Sequence, residues 1–148
     1  MLLFKVYHSK TKPSKEEKQN IVNFLHEHLQ EFRDSKEDIS KCLDYAVKNN
    51  VASFGGFVLL IYEEKLLQGI TIINKTGMKD YIPENILVYI AVHEHARGKG
   101  IGKQLLQKAI ELTEGDIALH VEPNNPAIKL YESLGFTNKY LEMRLKKH

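Results

Sequence analysis

Hydrophobic and polar positions alternate from Leu2 to Tyr7, the period of a half-buried strand. Ser14-Lys15-Glu16-Glu17, with Pro13 just ahead, has capping-box spacing and predicts the start of a helix. That helix brings Ile21, Phe24, Leu25, His28, Leu29 and Phe32 to one face. A second helix from about Ser35 does the same for Ile39, Cys42, Leu43, Ala46 and Val47, and Asn49-Asn50 are expected to end it. The period then shortens. Phe57–Tyr62 and Leu66–Asn74 flank Glu63-Glu64-Lys65 as a hairpin, and Thr76–Pro83 reads as a longer loop. Asn85–Val92 is a nearly unbroken apolar run, the pattern of a central strand covered on both faces. Helical spacing returns in Ile101, Leu105, Leu106, Ala109 and Leu112. Ile117–Val121 predicts a strand, and Ala127, Leu130, Tyr131 and Leu134 a short helix ended by Gly135. Phe136 and the alternating Tyr140–Leu145 predict a closing strand. The order is that of an α/β chain with a mixed sheet and helices on both faces.

Composition narrows the class. The 148 residues are 43% hydrophobic, with a formal net charge of +2, which excludes a disordered chain. No repeat or low-complexity linker interrupts them, so residues 1–148 read as one domain. Cys42 is the only cysteine and has no partner within the chain. The longest apolar runs, Phe57–Tyr62 and Ile86–Val92, fall far short of the roughly 20 residues a bilayer core requires. Lys5 ends the apolar Met1–Phe4 before a signal-peptide core is built. A cytoplasmic protein with neither a membrane nor a nucleic-acid partner is expected, because basic and acidic residues are interspersed.

Candidate chemistry concentrates in Ile90-Ala91-Val92-His93-Glu94-His95-Ala96-Arg97-Gly98-Lys99-Gly100-Ile101-Gly102-Lys103. This stretch runs from a strand through a glycine turn into a helix. The first N–H groups of a helix lack intrahelical partners and sit at the positive end of its dipole, which suits an anion, above all phosphate. Glycines let a ligand approach the backbone closely. Arg97, Lys99 and Lys103 add positive charge. Three glycines in five residues would cost a plain strand–helix connection about 1 kcal/mol each within a helix, so a ligand is the better explanation. The Walker loop needs Gly-Lys-Ser or Gly-Lys-Thr, and the dinucleotide fingerprint needs Gly-x-Gly-x-x-Gly. Neither is present.

What the turn does contain is Arg97-x-x-Gly100-x-Gly102, and further on the chain reads Ala127-Ile128-Lys129-Leu130-Tyr131-Glu132-Ser133-Leu134-Gly135-Phe136. In these two motifs, in this order and spacing, the sequence resembles the GNAT family of acyl-CoA-dependent N-acetyltransferases across roughly Ile86–Phe136. The resemblance implies the GNAT fold, a central, mostly antiparallel sheet with helices on both faces, and acetyl-CoA as cosubstrate. It places the CoA diphosphate on the turn Arg97, Gly98, Lys99, Gly100, Ile101, Gly102 and Lys103. It runs the pantetheine arm along Ile90, Ala91 and Val92, with the backbones of Ile90 and Val92 as partners, in the manner of an added strand. It also puts Tyr131 near the CoA sulfur, where a phenol can protonate or hydrogen-bond the leaving thiolate. A family asparagine that contacts pantetheine matches Asn124 counted back from Tyr131, and Asn125 counted forward from Val121. Asn125-Pro126 also reads as a helix cap followed by proline.

An amine acceptor of pKa near 10.4 must lose a proton before it attacks. Some family members use a glutamate whose place here is Ile86, which cannot act as a base; Glu84 is two residues earlier. Others use a residue whose place is His120, and an unperturbed imidazole titrates near 6.5. His120 ranks above Glu84. An exposed strand-edge histidine is the plain alternative.

His93-Glu94-His95 lacks the spacing that sets two ligands on one helical face, and no metal is assigned. Cys42 reads as a core residue. The reading is therefore direct acetyl transfer from acetyl-CoA to a primary amine of a small molecule or peptide. Two alternatives stand beside it: a catalytically inactive acyl-CoA-binding module, and a protein for another phosphate ligand. By resemblance, Lys15–Val47 and Thr76–Pro83 shape the acceptor side, with Phe24, His28, Phe32, Met78 and Tyr81 as candidates; the first three fit the core equally well. Twelve residues follow Phe136, too few for the family's usual final hairpin, which leaves a homodimer open.

Overall fold

The computed structural model describes residues 1–49 and 52–147. Strands β1 (Leu2–Tyr7), β2 (Gly56–Glu63), β3 (Leu66–Lys75), β4 (Asn85–Val92) and β5 (Ile117–Leu119) form one sheet in sequence order. The first three pairings are antiparallel and β4–β5 is parallel. A parallel neighbour needs a crossover, and helix α3 (Ile101–Leu112) supplies it. Helices α1 (Lys15–His28) and α2 (Lys36–Ala46) cover one face with Ile21, Leu25, Ile39 and Leu43. On the other face α3 and α4 (Ile128–Ser133) pack with Leu59, Ile61, Ile73 and Leu87. Among the described residues, no helix is long and apolar enough to cross a membrane.

Local signals explain the helix starts. The Ser14 hydroxyl accepts the Glu17 N–H at 3.1 Å, and Glu17 accepts the Ser14 N–H at 2.8 Å, closing the capping box. The same carboxylate accepts the Tyr7 hydroxyl at 2.6 Å and pairs with Lys5. The Ser14 amide, Tyr7 and Lys5 together hold the Glu17 pKa down at about 2. Ser35 caps α2 by accepting the Asp38 N–H.

Three expectations are corrected. The predicted closing strand at Tyr140–Leu145 does not form, and Tyr140, Leu141, Met143 and Leu145 are exposed. Alternation marks which face a strand would bury, but no sheet edge pairs with this segment. Strand β5 stops at Leu119 rather than Val121, because its register with β4 lasts only through Leu87↔Leu119. Helix α2 ends at Ala46, and the left-handed residue beyond it is Lys48 (φ 58°) rather than an asparagine. Asn50 lies outside the described residues.

Candidate active site

The site begins with a change of pairing along β4. Asn85, Ile86 and Leu87 pair with Ile117, Ala118 and Leu119, and there the parallel ladder stops. From Tyr89 to Val92 the strand is paired, among the described residues, only with β3. In the register with β3, Ile72 faces Tyr89 and Ile73 faces Leu87, so Val88 is an extra, bulged residue. The bulge switches the faces. Leu87 packs with the α3 cluster, whereas Tyr89 and Ala91 pack with α1 and α2, and Ile90 and Val92 turn toward α3. The His93 N–H is given to Gln68 O at 2.8 Å. By antiparallel alternation, Ala91 and Tyr89 direct their backbone polar groups to β3, and Ile90 and Val92 direct theirs to the open side.

Strand β4 leads through a 3-10 turn (Glu94–Ala96) into the glycine segment. Ala96 is buried against the α3 cluster and pins the turn. Gly98 and Gly100 both have φ of 79°, which favours glycine, and a Cβ on either would meet nothing within 4 Å. Gly100 is the N-cap of α3, and its carbonyl accepts the first helical bond, from Gln104. Among the described residues, the N–H groups of Gly98, Lys99, Gly100, Ile101, Gly102 and Lys103 have no hydrogen-bond acceptor. Six consecutive unpartnered donors at the positive end of a helix form a bed for an anion. This is chemistry that suits a phosphate, and the space directly above the two glycines is open.

Arg97 behaves differently from its neighbours. Its guanidinium donates to His28 O at 2.7 Å, to Gln30 Oε1 at 2.9 Å and, more weakly, to Val92 O at 3.4 Å. Its side chain turns toward the end of α1.

The second motif places Tyr131. Helix α4 ends in a left-handed Gly135 (φ 100°), whose N–H bonds Glu132 O, while the Phe136 N–H bonds Tyr131 O at 3.1 Å. Together these two bonds make a Schellman closure, and its usual apolar contact is the Tyr131–Phe136 ring pair at 5.8 Å. The closure fixes the Tyr131 backbone and ring. The side chain is buried, burial pushes its pKa up to about 12, and its hydroxyl has no partner among the described residues. Leu130 of the same helix lies 3.4 Å from where a Gly102 Cβ would stand, so α4 rests on the start of α3.

The remaining candidates separate. His120 is exposed and follows directly after the last paired residue of β5, where the two strands diverge. The Glu84 carboxylate, at the other end of β4, accepts backbone N–H groups from Asp116 (2.7 Å) and Asp80 (3.2 Å), which hold its pKa below the usual range. Asn125 accepts the Ala127 N–H, the work of a turn residue, while Asn124 is exposed. Phe24 and His28 are core residues; Tyr81 is exposed. Among the described residues, no group of three metal-ligating side chains converges. Clefts lined by Tyr7, Glu17 and Tyr62, and by Leu3, Phe4 and Lys65, lie toward β1 and touch none of these residues.

Sequence reasoning missed two contacts: Arg97 to the end of α1, and the Tyr89 hydroxyl to Asp34 at 2.6 Å. Both link residues more than fifty positions apart, and no local pattern encodes them.

The model of the acetyltransferase (GNAT) domain matches residues 54–138, more than half of the chain and both motifs. The chain belongs to the GNAT acetyltransferase family. Solved structures share the GNAT fold at low identity. A predicted acetyltransferase with acetyl-CoA from Clostridium acetobutylicum superposes with a TM-score of 0.70 at 15% identity, covering 100% of this chain and 99% of that one. An aminoglycoside N-acetyltransferase in complex with CoA gives 0.70 at 13%, covering 99% and 95%. A ribosomal-protein-alanine N-acetyltransferase from Brucella melitensis biovar Abortus gives 0.66 at 18%, covering 99% of both. No curated protein sequence matches this GNAT chain.

Proposed function

We propose that this chain transfers the acetyl group of acetyl-CoA directly to a primary amine. The observation that carries the proposal is the continuity of two features: the six unpartnered N–H groups of Gly98–Lys103, and the unpaired side of β4 at Ile90 and Val92. Acetyl-CoA, when bound, supplies the activated thioester. The Gly98–Lys103 amides then hold the diphosphate, with Lys99 and Lys103 adding charge. Ile90 and Val92 take the pantetheine as a strand partner, and a backbone N–H on this side polarises the thioester carbonyl. Asn124 is assigned the pantetheine contact rather than Asn125, whose side chain already closes a turn.

Tyr131 is assigned the leaving thiolate. With a pKa of about 12 its hydroxyl stays protonated, and with no partner among the described residues it is free to donate. His120 is preferred as the base that takes the amine proton, because it stands at the divergence of β4 and β5. Glu84 is disfavoured: both its oxygens accept backbone donors at the paired end of the strand. One observation favours a second reading, an acyl-CoA-binding module without turnover: Ile86 stands where some family members carry an acid. Calorimetric titration with acetyl-CoA, followed by a thiol-release assay over peptides, polyamines, aminoglycosides and amino acids, decides between them. Release with one amine class supports the enzyme. Tight binding with no release across the panel supports the module.

A further inference from the structure

Arg97 carries the first position of the glycine motif, where charge would be expected to serve the diphosphate, yet its side chain is engaged elsewhere. Helix α1 ends at His28, and its last carbonyls have no intrahelical donors. The Arg97 guanidinium donates to His28 O at 2.7 Å, so it caps α1 from a distant segment, with its positive charge at the negative end of that helix dipole. A second arm of the fork reaches Gln30 Oε1 at 2.9 Å. Gln30 holds a left-handed backbone (φ 54°), uncommon for a residue with a side chain, and its carbonyl is bonded by the Arg33 side chain at 2.7 Å. The residue is therefore held in a costly conformation that presents its amide oxygen to Arg97. The rings of His28 and His93 pack at 4.3 Å beside this contact, and His93 Nδ1 accepts the His95 N–H. The end of α1 and the segment entering the glycine turn are thus joined by one fork and one tilted ring contact.

We propose that Arg97 is a positioning residue, not a diphosphate ligand, and that its fork onto His28 O and Gln30 Oε1 sets the glycine turn for CoA. The inference rests on the acetyl-CoA reading above and adds to it. It makes cofactor affinity depend on Gln30, a neutral side chain on the α1 side of the sheet. It also takes the Arg97 side chain out of direct contact with the anion and leaves Lys99 and Lys103 for that contact.

The test is calorimetric titration of CoA into the full chain and into Gln30→Ala, Gln30→Glu, Arg97→Ala, Lys99→Ala and the Gln30→Ala/Arg97→Ala double variant, each at several salt concentrations. Gln30→Ala should weaken CoA about 5-fold, and the double variant should be no weaker than Arg97→Ala alone, since residues in one network are not additive. Gln30→Glu keeps an acceptor for the fork and should hold affinity within about 2-fold. Lys99→Ala should flatten the dependence of affinity on salt, and Arg97→Ala should flatten it clearly less. In turnover assays Gln30→Ala should raise KM for acetyl-CoA with little change in kcat, which a general loss of stability would not produce. Wild-type affinity in Gln30→Ala, or a salt slope flattened by Arg97→Ala as much as by Lys99→Ala, overturns the inference. Failure of the unaltered chain to bind CoA overturns instead the acetyl-CoA reading beneath it.

Discussion

The two halves of β4 meet different surroundings. At Asn85–Leu87 the strand has neighbours on both sides. Asn85 is buried, and its amide donates to Glu114 O at 2.7 Å and Asp116 O at 3.2 Å; Glu84 ties the adjoining loops through backbone donors. Every polar group named there has a protein partner. At Val88–Val92 one neighbour is lost, a bulge switches the faces, and the turn beyond exposes six amides without a partner among the described residues. Most of that row is exposed, so water serves its N–H groups until a ligand replaces it. The contrast separates residues that build the scaffold from residues that serve a ligand, although both lie on one strand.

Substitutions at both ends and one pH titration press on that contrast. The largest effect is expected at the open end. Gly100→Val fills the space above the turn and forces a β-branched residue to φ 79°, a strain of order 1–3 kcal/mol. CoA affinity should fall more than about 100-fold by calorimetry, with a cooperative melt retained. Gly102→Ala, at a helical position where the new Cβ meets Leu130 and Val92 at 3.4 and 3.5 Å, should lose far less. Next, Tyr131→Phe should lower kcat about 100-fold while CoA affinity and melting temperature barely move, because the hydroxyl has no partner among the described residues. Full rate under chemistry-limited conditions would remove Tyr131 from the reaction.

At the paired end the expectation reverses. Asn85→Ala should cost about 1–3 kcal/mol of stability in denaturant melts and leave CoA affinity intact, since it strips donors from two carbonyls far from the turn. The smallest effect is on pH dependence. Burial first, then the neighbouring His93, lowers the His28 pKa, and together they outweigh Glu27, which lies 3.1 Å from Nε2 and acts in the opposite direction. The unfolded chain therefore binds this proton more readily. Stability should be full above about pH 6.5 and decline as pH falls from there toward the lowered folded value. Melting temperatures from pH 7.5 to 5.5 should show the decline in the parent chain and less of it in His28→Gln.

Much of this was legible in the sequence. The capping box at Ser14, the span of β4 and the Gly135 stop are written in local residue types, and local types decide them. The two motifs also marked the turn and Tyr131. Three features were not legible. The bulge at Val88 depends on the register with β3, and a run of apolar residues carries no sign of which one is extra. The role of Arg97 depends on where α1 ends, more than sixty residues earlier, and a cation beside glycines reads the same whether it faces a phosphate or a helix carbonyl. Tyr140–Leu145 erred in the other direction, since its alternation specified a strand but no sheet edge to receive it.

Backbone amide exchange measured with and without acetyl-CoA tests the central claim most directly. The account predicts that the cofactor slows exchange at Gly98–Lys103 and at Ile90 and Val92, and leaves Asn85–Leu87 unchanged. Binding with no added protection at Gly98–Lys103 would contradict it.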